Sequence, residues 1–135
     1  MSEKSEGRQK PSKSIEQVAR EVGRYDLQAY YFVFEVLEWL MEKLGERRHV
    51  SGAELSEAAR DLAIERFGML AKYVLEGWGI TSTACFGRIV YALIDAGQMS
   101  RTDQDSIADF EDVFDFAQAF QTYEIPGWVG EAEES

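Results

Sequence analysis

Residues 29–41 read AYYFVFEVLEWLM, in which Glu35 and Glu38 are the only polar positions. The run YYFVF would suit a strand if it stood alone. Its surroundings decide otherwise: Leu27, Tyr30, Phe34, Leu37, Met41 and Leu44 step by 3, 4, 3, 4 and 3, which is a helix period carried up to a stop at Gly45. Tyr31, Val33, Val36 and Leu40 form a second apolar face, so only a narrow strip at Glu35, Glu38 and Glu42 is left for water. A helix apolar around most of its circumference is the central helix of its domain. Trp39 falls beside the wet strip and is expected to be partly exposed, at the edge of a contact with a second copy or a partner protein. With thirteen residues and two carboxylates the stretch falls short of the roughly twenty apolar residues a bilayer span needs.

The same reading extends outward. Residues 1–13 lack periodicity and predict a flexible tail, and residues 125–135 an acidic one, with a single domain over 14–124. Ser14 caps a short helix over 15–23, whose apolar positions are Ile15, Val18 and Val22. VSGAEL at 50–55 is a capping box with a hydrophobic staple: Ser51 and Glu54 satisfy each other's end of the chain, and Val50 meets Leu55. The helix it starts should run 52–67, with Leu55, Ala59, Leu62, Ala63 and Phe67 inward. A shorter helix at 69–76 offers Leu70, Tyr73 and Val74 to the core, and one at 84–96 offers Phe86, Ile89, Val90 and Leu93, with Thr81, Ser82 or Thr83 as its cap. Residues 98–116 hold six Asp/Glu against one Arg and suit either a short hairpin or an acidic loop. Asp115 is placed to cap a last turn at FAQAF.

The net charge is −11, unevenly placed: residues 1–24 carry +2 and residues 25–135 carry −13. That field repels phosphate backbones and anionic lipid and favours basic protein partners. One cysteine, Cys85, excludes an internal disulfide and suits the cytoplasm. One histidine, His49, and one cysteine cannot build the usual zinc site, and nothing in their spacing supports a Cys–His nucleophile. Counted from Asp103, an EF-hand loop would need glycine at Ala108 and glutamate at Phe114. There is no GxGxxG, GxxxxGK[ST] or GxSxG. No metal, cofactor or catalytic residue is expected.

The helix order 52–67, 69–76, 84–96 followed by a possible hairpin is that of a winged helix, with a helix-turn-helix turn at Gly77–Ser82. The segment that would meet DNA supplies only Arg88, and the wing would be acidic.

RHVSGAEL, ERFGMLAKYVLEGWGI, TACFGRIVYALIDAG and RTDQDSIADFEDVFDF resemble, in this order, segments of a small uncharacterised bacterial family, the Minf family, over about residues 20–120. The resemblance carries over no activity, ligand or catalytic residue. It marks Arg48, His49, Ser51, Glu54, Arg60, Asp105 and Asp109 as matching polar positions, read either as a structural network or as the lining of one groove. This chain departs from it in having Cys85 where the pattern has an acid, and in Phe67-Gly-Met-Leu-Ala71, which lacks the proline of FGPMA.

The expectation is thus a compact, mainly α domain of about five helices with a helix-turn-helix or winged-helix-like core. Its expected function is that of a non-enzymatic cytoplasmic protein-interaction or adaptor module. The alternative is a winged-helix nucleic-acid binder or transcriptional regulator.

Overall fold

A computed structural model of the chain describes residues 13–99 and 107–120. All but Lys13 of the tail expected at 1–13, the tail expected at 125–135, the domain end at 121–124 and Asp105 lie outside the described residues.

The chain is mainly helical. Its elements are α1 (Ile15–Val22), α2 (Leu27–Leu44), α3 (Gly52–Phe67), a 3-10 turn (Gly68–Leu70), α4 (Ala71–Gly77), α5 (Thr83–Asp95), a second 3-10 turn (Ile107–Phe110) and a single-turn helix, α6 (Phe116–Ala119). Each of the first three begins as its sequence dictates. Ser14 Oγ accepts from the Gln17 amide, Asp26 from Gln28, and Ser51 Oγ from Glu54, whose carboxylate accepts in return from the Ser51 amide. Orphan amides of the first turn are thereby satisfied. Asp115 occupies the cap position of α6, but its side chain makes no capping bond. Ser82 likewise precedes α5 without capping it.

α2 is the spine. Ala29, Tyr30, Phe32, Val33 and Val36 are buried on it, against α1, α3 and α5. Its wet strip is Tyr31, Glu35, Glu38 and Glu42. Tyr31 therefore belongs to the solvent side, not to a second apolar face; its hydroxyl donates to Glu16 of α1 at 2.5 Å. Glu35 accepts a two-pronged bond from Arg66 at 2.7 and 2.9 Å, tying α2 to the end of α3. Phe32, Phe67 and Trp78 meet ring to ring at centroid distances of 5.6–6.4 Å where α2, α3 and the turn after α4 converge.

α5 is the other central helix, and only Arg88 and Asp95 of its residues are exposed. The second 3-10 turn lies across it. Thr83 Oγ1 donates to the Phe110 carbonyl at 2.5 Å and accepts from the Val113 amide at 3.2 Å. This close approach requires glycine twice. A Cβ on Gly87 would stand 2.9 Å from the Phe110 ring, and one on Gly52 would stand 2.9 Å from the backbone of Asp109. Beyond it Phe86, Phe114, Phe116 and Phe120 form a second aromatic cluster. Among the described residues there is no strand; of the 98–116 segment, Ile107–Phe110 is helical turn, and 100–106, where the other arm of a hairpin would run, lies outside them.

The 69–76 reading is corrected. Leu70 and Tyr73 are not core; they are 54% and 59% exposed, and the inward positions are Ala71 and Leu75.

Candidate functional site

The C-terminal end of α2 and the start of α3 bring most of the sequence-marked residues to one corner. Arg48 is clamped there: its guanidinium donates to both Glu54 oxygens, at 2.9 and 3.3 Å, and to the His49 carbonyl at 2.6 Å. The Arg48 hydrogen bonds, with that from the Ser51 amide, hold the Glu54 carboxyl down at about 2 against an ordinary 4.5. Ser51, Glu54 and Arg48 thus form one network around a helix start, and Asp109 abuts it at Gly52. Arg60 stands two turns further along α3. Its Nε pairs with Asp61 at 3.0 Å and its guanidinium covers the Phe114 ring at 5.6 Å.

Two hollows flank Arg48. One, of about 220 Å³, is bordered by Trp39, Lys43, Glu54 and Glu57. Trp39 is half-buried against the core, with the Lys43 ammonium 4.8 Å above its ring. The other is a larger apolar cleft of about 270 Å³ between α2, α5 and the second 3-10 turn. Its walls are Leu37 and Met41, Val90 and Ile94, and Met99 and Phe110, and it is edged by Arg47, Arg48 and His49. Arg47, which the sequence reading did not single out for this corner, meets Glu38 at 3.5 Å with both side chains well exposed.

A second cluster gathers around Cys85. Cys85 lies buried in the first turn of α5, with Sγ 3.7 Å from Arg88 Nη1, 3.8 Å from Ser82 Oγ and 3.9 Å from Thr81 Oγ1. Arg88 also donates to the Tyr25 hydroxyl at 3.3 Å. Burial pushes the thiol up, but hydrogen bonds from the Thr81 and Ser82 backbone and from the Tyr25 hydroxyl outweigh it and bring the thiol to about 7.

A third feature is apolar and outward. Met69, Leu70 and Tyr73 are exposed by 45, 54 and 59% and fall together on the 3-10 turn and first turn of α4. Among the described residues no group of three or more His, Cys, Asp and Glu could hold a metal ion, and no helix is long and apolar enough to cross a membrane.

Compared with protein families, with curated proteins and with solved structures, the chain finds no match.

Proposed function

We propose that this chain is a non-enzymatic interaction module of the cytoplasm, and that it docks a partner protein on the ridge formed by Met69, Leu70 and Tyr73. The observation that carries the reading is this contiguous exposure of three large apolar side chains on one short turn. Scattered apolar residues on a surface need no explanation, but a cluster around an exposed aromatic is the usual form of a binding anchor. The net charge of −11 selects the partner's chemistry: a basic surface offering an apolar recess, drawn in by long-range attraction. Trp39, half-buried, is a weaker anchor than the more exposed Tyr73.

The alternative, a winged-helix nucleic-acid binder, draws on the order α4, turn, α5. Against it, α5 is enclosed by other elements and presents Arg88 alone as an exposed cation, whereas a recognition helix needs a free face to enter the major groove.

A photoreactive residue at position 70, with a control at the also exposed Ile107, tests the proposal in the native cell. A basic protein captured from position 70 only, which when purified binds the parent and loses affinity for Leu70→Glu, supports it. Equal capture at both positions, or equal affinity for parent and variant, refutes it. Binding to non-specific duplex DNA that weakens steeply with salt would favour the alternative.

A further inference from the structure

The apolar cleft is not used by that docking ridge and has a chemistry of its own. We propose that it is a binding site for a small amphipathic anion, a medium-chain aliphatic carboxylate whose chain fills the cleft and whose headgroup pairs with Arg47. Most of the wall is aliphatic, Leu37, Val90 and Ile94 among it, with Tyr91 and Phe110 as its aromatic part and with two flexible thioethers, Met41 and Met99, that adapt to an unbranched chain. The cleft holds about 270 Å³. At about 30 Å³ for each water-sized group, this takes about nine of them, room for the whole of a chain of about eight carbons with its headgroup outside.

Charge selects the headgroup. Three consecutive residues, Arg47, Arg48 and His49, share one edge of the cleft, in a chain whose field elsewhere repels anions. Two of them are differently available. Arg48 is locked into the Glu54 fork and the start of α3. Arg47 makes a 3.5 Å contact with Glu38, and these side chains are 74 and 66% exposed; such pairs hold their partners weakly. An incoming carboxylate displaces Glu38 from Arg47 and leaves the Arg48–Glu54 network intact.

The probe is octanoate, compared with octan-1-ol, titrated into the full chain and followed by calorimetry and by methyl NMR of Leu37, Val90 and Ile94. The expected result is saturable binding of one octanoate per chain with the shifts confined to methyls that line the cleft, those of Met41 and Met99 included. Arg47→Gln, a surface change that does not threaten the fold, weakens octanoate about fivefold, the upper range for an exposed ion pair, and leaves octan-1-ol unchanged. Val90→Phe, which fills the cleft, abolishes both. Absence of saturable binding, shifts elsewhere, or an equal effect of Arg47→Gln on acid and alcohol overturns the proposal. So does a parent that scatters light as a dimer and becomes monomeric in Val90→Phe, since a second copy would then fill the cleft.

Discussion

Glu54→Gln should destabilise the fold by about 1 kcal/mol near neutral pH and by almost nothing in strong acid. The carboxylate is held at about 2 from an ordinary 4.5. At 1.36 kcal/mol for each pKa unit, that displacement taken at face value is worth about 3 kcal/mol. Solvent reaches 42% of the Glu54 side chain and 37% of Arg48, and ion pairs so exposed deliver at most about 1 kcal/mol, which sets the discounted figure. Glutamine in this position still accepts from the Ser51 amide, so the substitution removes the charge and keeps the cap. Because the folded-state value is depressed, the contribution is whole above pH 4.5 and fades as pH falls toward 2. Urea midpoints of parent and variant, measured near pH 7 and near pH 2, give the test. All other carboxylates titrate in both proteins and cancel in the difference. A gap of the same size at both pH values, or no gap near pH 7, would refute the assignment of the shift to the Arg48 fork.

Three further outcomes follow from the same geometry. Gly52→Ala drives a Cβ to within 2.9 Å of the Asp109 backbone; it should destabilise by about 1–3 kcal/mol, as overpacking does, and speed hydrogen exchange at the Glu111 amide, which now bonds the Ala108 carbonyl. Thr83→Val keeps the shape but strands the Phe110 carbonyl and Val113 amide, for a loss of about 1–3 kcal/mol in chemical unfolding. The Cys85 thiolate should appear by its ultraviolet absorbance with a midpoint at about 7, and Tyr25→Phe should move that midpoint upward; an unmoved midpoint would discard the role of the Tyr25 hydroxyl.

What could be read from the sequence was what is local. The α2 period, the Ser51–Glu54 box and the cap at Ser14 each depend on residues within four positions of one another, and all appear in the structure. The 69–76 segment misled because its period was read through the large residues. In a helix of seven residues packed tightly under α3, the inward places go to Ala71 and Leu75, and the larger Leu70 and Tyr73 are left outside. The cleft and the Tyr25–Arg88–Cys85 cluster could not be read at all. The cleft's walls lie far apart along the chain and meet only when α2 and α5 pack; in the cluster Cys85 and Arg88 are near neighbours, but Tyr25, which completes it, is 63 positions from Arg88. Nothing in RRH tells which of its arginines serves the Glu54 fork and which is left to the edge of the cleft.

The seat of the second 3-10 turn has a kinetic consequence. Its two floors, Gly52 and Gly87, belong to different helices, and its hydrogen-bond partner Thr83 lies 27 positions before Phe110. The seat is complete only once α3 and α5 have come together, so residues 107–120 are expected to dock after the helical body has assembled. Substitutions in this seat should therefore accelerate unfolding and leave the folding rate nearly untouched, while those in the buried stripe of α2 slow folding itself.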